Sequence, residues 1–355
     1  MNRPPAAITP LLIRFGRIGD MVLQAPLLQL LSHRYGRPCR LLSAGTWSSE
    51  LYATHPDVRE VWQLRARYRP FLLSPERWRL VSLLARHDGP VYVSEDVPHH
   101  VARIRELLAR AGIAARRCAF LGEQHAQEHW VERLLRFGNI TPGSYVEYAH
   151  VHANTQQLAA PRLYVDAQSI AACRAWLRER GAEGRPVVLI QPGNKRVARW
   201  NLRRKPDTKA WPERGWGQLL HSMRATLPDA YLLLCGSRAE QGLLERICAG
   251  SGNIAAVATH ELPLRRALAL MSIAHSMVGV DSGPAHMAAA VGCPLLVLYG
   301  DESPRVWGRR GAAGQRILEL GGPPAASVSQ IEVAHVIGAW QSIAATVRAS
   351  TAAAA

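Results

Sequence analysis

The sequence predicts an α/β protein made of two Rossmann-like halves, each a parallel sheet covered by helices. Three observations carry that reading. Short apolar runs of strand length alternate with longer stretches whose apolar residues recur at helical spacing. The alternation fades once, over 139–168, where polar residues crowd, and then resumes more regularly. The 355 residues amount to about two domains of ordinary size. The expected division is a first domain over 1–180, a second over 181–327, and a closing helix with a frayed tail over 328–355.

The elements follow in order. Ile8–Phe15 is a short apolar strand, Gly16–Asp20 a turn, and Met21–Tyr35 a helix stopped by Gly36. Arg40–Ala44, Val58–Leu64, Val91–Ser94 and Cys118–Leu121 read as further strands, with a helix over Val101–Ala111. A helix over Ile170–Arg180 closes the first half. The second half alternates strands Val187–Gln191, Ala230–Cys235, Met277–Val280 and Leu295–Tyr299 with helices Trp216–Thr226, Glu240–Ala249, Leu264–Ala274 and Pro284–Val291. Val328–Val347 is the closing helix. Parallel sheets bind ligands at the carboxyl ends of their strands, so the expected site is a cleft between the halves.

Composition narrows the partners. Lys plus Arg is 43 against 27 Asp plus Glu, a net charge of +16, and only Lys195, Lys205 and Lys209 are lysines. Arginine grips phosphate and carboxylate with a planar fork, which points to an anionic partner. The excess is spread over the chain, with 20 Arg against 13 acids in 1–150 and 23 basic residues against 14 acids beyond. That counts against a nucleic-acid binder, which concentrates its charge in a stripe. Six cysteines without a CxxC pair give no zinc or disulfide framework and suit a reducing compartment. The first 20 residues hold no signal-peptide core. The longest apolar stretch, 288–300, contains Gly and Pro and falls short of the roughly 20 residues a spanning helix needs. A cytoplasmic protein, at most resting on a membrane surface, is expected.

Four constellations could carry chemistry. In GRIGD (16–20), directly after the first strand, two glycines allow a tight turn, and Asp20 would stand at the rim of the sheet. A carboxylate there could take a proton from a hydroxyl, or serve only as the cap of the following helix. VGVDSGPAHMAAAVGCP (278–294) runs from strand through Asp281, Ser282 and Gly283 into a helix with Pro284 in its first turn, a cradle suited to a diphosphate. His286 lies in that first turn, as a site residue or as an ordinary structural histidine. The segment 196–216 carries Arg196, Arg199, Arg203, Arg204, Lys205, Lys209 and Arg214, either as cations for a leaving diphosphate or as a solvated basic loop. In LLLCGSRAEQ, Glu240 could take the hydroxyls of a ribose or sit favourably at a helix start. A further pattern, His125–His129 as HxxEH, would place two zinc ligands on one face only if helical.

Taken together, these segments resemble glycosyltransferase family 9, the ADP-heptose:lipopolysaccharide heptosyltransferases. LLIRFGRIGDMVLQAPLLQLL, KAWPERGWGQLL, CGSRAEQ and VGVDSGPAHMAAAVGCPLLVLYG are similar to that family's successive motifs, in family order across 11–300. Ser282 stands where threonine is usual, Gln191 where histidine is frequent, and the stretch between Gly193 and Lys209 is longer than usual. The resemblance implies a GT-B architecture, two Rossmann-like domains facing across a cleft, and an inverting transfer of heptose from ADP-heptose that needs no metal or cofactor. It implies that Asp20, following Gly19, is the catalytic base, that Lys209 lies near the donor phosphates, and that Glu240 lies on the ribose. Asp281, Ser282, Gly283 and His286 would surround the donor's diphosphate and sugar. A phosphorylated lipid acceptor at the inner membrane surface, and no nucleic acid, would be the remaining partners. Alternatives are a related transferase using another nucleotide-sugar or a protein acceptor, and a non-catalytic nucleotide-sugar binder.

Overall fold

The computed structural model describes residues 5–65, 74–151, 155, 157–194 and 207–354. The chain divides into two compact units, Met1–Tyr164 and Val165–Ala355.

The first unit contains β1 (Leu11–Arg14), α1 (Ile18–Val22), α2 (Ala25–Tyr35), β2 (Cys39–Ser43), α3 (Trp47–Leu51), β3 (Val58–Gln63), α4 (Pro75–Ala85), β4 (Val91–Val93), α5 (Pro98–Arg110), β5 (Cys118–Phe120) and α6 (Trp130–Gly138). Its sheet is wholly parallel in the order β3-β2-β1-β4-β5, so β1 is central and the Gly16–Asp20 turn leaves from the sheet's middle. Prolines begin α2, α4 and α5, where their missing N–H costs nothing. The single helix expected over Met21–Tyr35 is two. Pro26 has no N–H to offer the carbonyl of Val22, so the helix breaks at Leu23–Gln24 and restarts at Ala25. His125–His129 is a turn rather than a helix. His129 caps α6, accepting the N–H of Val131 at 3.1 Å, so the two histidines do not share a helical face.

The second unit contains α7 (Ala167–Glu179), β6 (Val187–Gln191), α8 (Glu213–Thr226), β7 (Tyr231–Cys235), α9 (Gln241–Gly250), β8 (Ala256–Ala258), α10 (Leu264–Ile273), β9 (Ser276–Val280), α11 (Gly283–Ala290), β10 (Leu295–Tyr299), α12 (Pro304–Trp307), β11 (Ile317–Gly321) and α13 (Val333–Ala354). The sheet is again parallel, in the order β11-β10-β9-β6-β7-β8. The boundary falls at 164/165 rather than at 180 because α7 packs along α10, with Arg265 paired to Asp166 and Arg180 to Glu261. The closing segment is part of the same unit. Trp340 is fully buried and donates to the Ser276 hydroxyl at 3.2 Å, while Val336 and Ile343 join the core of β6, β7, β9 and β10. After a 3-10 turn over Val328–Gln330, α13 runs to Ala354, so the alanine tail expected to fray is helical to that point. The two edge strands β8 and β11 have no clear sequence signal, being short and only partly buried. Among the described residues no helix is long and apolar enough to cross a membrane.

Candidate active site

In the second unit three adjacent strand ends converge. Asp281 leaves β9 and is 8% exposed. Its Oδ1 receives Arg309 Nη1 at 2.7 Å, and its Oδ2 pairs with the Lys209 ammonium. Burial alone would raise its pKa, but the Arg309 and Lys209 charges hold the carboxyl well below the usual carboxylate range. Burial would likewise work against the charge on Arg309, and Tyr299 and Asp281 outweigh it, raising that pKa. Arg309 also donates to the Ser282 carbonyl at 3.0 Å and to the Tyr299 hydroxyl. Its own N–H and the Tyr299 hydroxyl both donate to Glu319 Oε1, at 2.7 and 2.8 Å.

Ser282 is the extended residue before α11, with φ −156°. Its hydroxyl donates to Gln191 Oε1 at 2.7 Å, and Gln191 Nε2 donates to the Gly193 carbonyl at 2.7 Å. Gly283 begins α11, and His286 is buried in its first turn. Glu240 ends a 3-10 turn after β7. Its Oε2 receives both the N–H and the hydroxyl of Ser237 at 2.6 Å. A Cβ on Gly193 would lie 2.1 Å from Glu240 Oε1, so only glycine lets that carboxylate approach the end of β6.

Lys209 is fixed from both sides. Its N–H donates to Asp207 Oδ1 at 3.0 Å, and Asp207 Oδ2 accepts from Asn194 at 3.0 Å. The Thr208 carbonyl accepts from Val328 N at 2.8 Å, in a position that a Cβ on Gly300 would invade at 2.3 Å. Trp211 is buried edge-on against Trp216 and donates to the Ile331 carbonyl at 3.0 Å. The basic residues Arg196, Arg199, Arg203, Arg204 and Lys205 lie outside the described residues.

In the first unit Asp20 is the third residue of α1, not the residue before it. Its Oδ2 reaches back to accept the Arg17 N–H at 2.7 Å, and Oδ1 lies 3.6 Å from Arg14 Nη2. Its side chain keeps 25% exposure. A Cβ on Gly16 would stand 2.5 Å from Asp20 Cβ, which is the reason for glycine there. Gly19, the preceding residue, is the second residue of α1. Arg14 is buried over the Trp130 ring, 5.2 Å from its centroid, and bonds the Ser94 carbonyl at 2.6 Å and Asp96 at 2.8 Å. Buried Glu95 receives the N–H groups of Phe15 and Val97, at 2.9 and 3.2 Å.

The model of glycosyltransferase family 9 (heptosyltransferase) matches residues 121–329, more than half of the chain. The chain belongs to glycosyltransferase family 9. It is 35% identical over 114 residues to lipopolysaccharide heptosyltransferase 1 of Pseudomonas aeruginosa, a match that spans 32% of this chain and 30% of that relative. Among solved structures, ADP-heptose LPS heptosyltransferase II of E. coli is similar with a TM-score of 0.72 at 19% identity, over 95% of this chain and 98% of that one. A family 9 glycosyltransferase of Veillonella parvula gives 0.76 at 13% identity, over 96% and 98%. The E. coli heptosyltransferase WaaC with ADP gives 0.66 at 17% identity, over 95% and 100%. This family 9 member therefore has the two-sheet α/β fold of the GT-B class that its sequence predicts.

Of the residues singled out in the sequence, Lys209, Asp281, Ser282 and Gly283 come together directly, and Glu240 joins them through Gly193 and Gln191. Asp20 lies in the first turn of the helix that follows β1, within its own unit. Sequence reasoning missed Arg309 and the Arg14–Glu95–Asp96 group. Neither has a local signal, since Arg309 lies in a Gly-Arg-Arg stretch that looks like any exposed basic loop.

Proposed function

We propose that this family 9 chain is an inverting heptosyltransferase, moving a heptose from ADP-heptose to a lipopolysaccharide core acceptor. The observation that carries the reading is the Lys209–Asp281–Ser282 cradle at the start of α11, inside the family match. Transfer passes through an oxocarbenium-like state while negative charge grows on the leaving diphosphate. The Lys209 ammonium and the backbone N–H groups opening α11 are the protein's own means of meeting that charge, with no metal or other cofactor required. Glu240, whose Oε2 is held by Ser237, is the residue that would take the hydroxyls of the donor ribose. Asp281 and His286 border the sugar. Asp20 is the base that takes the acceptor hydroxyl's proton, since its partly exposed carboxylate is oriented by the Arg17 N–H.

The test is direct. Purified protein, ADP-heptose and heptose-free core lipid are incubated with and without EDTA, and product anomer and ADP release are followed. Expected is ADP release with inverted product, unaffected by EDTA; absence of turnover with tight ADP binding would favour a nucleotide-sugar sensor. A panel of UDP- and GDP-sugars settles the donor. The arginine-rich surface suits an anionic lipid acceptor at the inner face of a membrane, so association with anionic vesicles is expected to weaken as salt rises.

A further inference from the structure

We infer that Arg309 is a positioning residue whose charge satisfies Asp281, so that Lys209 can leave Asp281 for the diphosphate of the donor. The inference rests on the donor-site reading above and adds to it a residue and an order of events. Among the described residues Asp281 has two ion-pair partners, one on each oxygen, with His286 adding a weaker favourable charge, and the two are unequal. Arg309 is fully buried, with contacts to Asp281, the Ser282 carbonyl and Tyr299, and its backbone is tied to Glu319. Its planar fork meets three partners at once, which holds it in place. Lys209 keeps 15% side-chain exposure, and among the described residues its ammonium also pairs with Glu302, 3.9 Å away and itself 40% exposed. A lysine ammonium on a flexible four-carbon stem is the partner that can move.

The energetics select the same division. A buried carboxylate stripped of its last cation is strongly disfavoured. Were Lys209 the sole partner of Asp281, an incoming diphosphate would have to strand that carboxylate to capture the ammonium. With Arg309 in place, Asp281 stays compensated, and Lys209 exchanges one anion for another. Arg309 also holds the Ser282 carbonyl, and so the residue that opens α11, without itself being exposed to a ligand. It acts through Asp281, Lys209 and Ser282, not on the reacting atoms.

The experiment measures the affinity of the full-length protein for ADP by calorimetry, and kcat and KM for the sugar donor, in Lys209→Ala, Arg309→Gln, Arg309→Lys, Asp281→Asn and the Arg309→Gln/Asp281→Asn pair. Arg309→Gln is expected to weaken ADP about tenfold or more, because Lys209 is then locked on Asp281. Arg309→Lys, which keeps the charge, is expected to recover ADP affinity to within about threefold of wild type. The double variant is expected to bind ADP better than Arg309→Gln alone, since removing the Asp281 charge releases Lys209, a rescue that general damage to the fold does not produce. ADP affinity unchanged in Arg309→Gln, or a double variant as weak as the single one, overturns the inference. If circular dichroism shows Arg309→Gln unfolded, Asp281→Asn alone decides. Affinity for ADP equal to or tighter than wild type supports the hand-over, and weaker affinity overturns it. Lys209→Ala separates the two levels of argument. If it leaves ADP affinity intact, the donor-site reading itself fails; if it weakens ADP while Arg309→Gln does not, only the role of Arg309 is lost.

Discussion

The two units place an aspartate after a strand in opposite ways. Asp281 precedes its helix, is nearly enclosed, and has a cation on each oxygen. Asp20 is in the first turn of its helix, keeps 25% side-chain exposure, and spends one oxygen on a backbone N–H while Arg14 lies 3.6 Å from the other. A carboxylate clamped by two cations is a fixed negative charge; one that meets a backbone N–H on one oxygen and a more distant arginine on the other, with part of its side chain exposed, is open to an incoming hydroxyl. Similar strand–turn–helix units thus yield an organiser of cations in one sheet and a candidate base in the other. The glycines repeat the contrast. Gly16 makes room for Asp20 itself, while Gly193 makes room for Glu240, which approaches from a neighbouring strand.

The comparison breaks first at Asp20. Asp20→Asn is expected to lower kcat by about 10²–10⁴-fold, the usual range for a general base, while ADP affinity measured by calorimetry stays unchanged. A near wild-type rate removes Asp20 from the chemistry. Lys209→Ala comes next, with kcat expected to fall about 10²–10³-fold in steady-state assays and ADP binding to weaken as well, as the proposed role of the lysine on the donor diphosphate requires. The glycines sharpen the contrast further. Gly16→Ala, whose new Cβ would meet Asp20 Cβ at 2.5 Å, is expected to cost about tenfold or more in rate with nucleotide affinity preserved. Gly193→Ala, driven against Glu240 Oε1 at 2.1 Å, is expected to weaken nucleotide binding and to destabilise by about 1–3 kcal/mol in thermal unfolding.

The smallest effect is in acid. The folded-state pKa of Asp281 lies below its ordinary value of 3.8, so the unfolded chain takes up the proton first as pH falls. The contribution of Asp281 is fully present above about pH 4 and is lost as pH falls through the folded value. Asp281→Asn should therefore flatten the loss of stability below pH 4 in chemical unfolding; an unchanged slope contradicts the clamp.

Much of this was legible in the chain. Gly16, Pro26, Gly36, Pro284 and Gly292 act through their own backbone, so the turns and helix starts they make can be read locally. The break at Pro26 is hidden in the sequence, since the apolar period continues through it. Lys209 was singled out because KAWPERGW resembles a family motif; the structure adds that Trp211, two residues on, is buried and anchors the segment. The reading of α7 as part of the first half failed for a different reason. Its apolar face shows that it packs, but not that α10 is what it packs on.

By itself, the sequence determined the alternation of most strands and helices, and that Asp20, Glu240 and Asp281 follow strands β1, β7 and β9, because hydrogen-bond period and backbone freedom act within a few residues. Only the tertiary structure decided that Arg309, 28 positions beyond Asp281, is its buried counter-ion and that Arg14 gathers Glu95 and Asp96 from a neighbouring strand's end. Charge compensation in a buried site depends on separation in space, and the parallel sheet, not the order of residues, sets that separation.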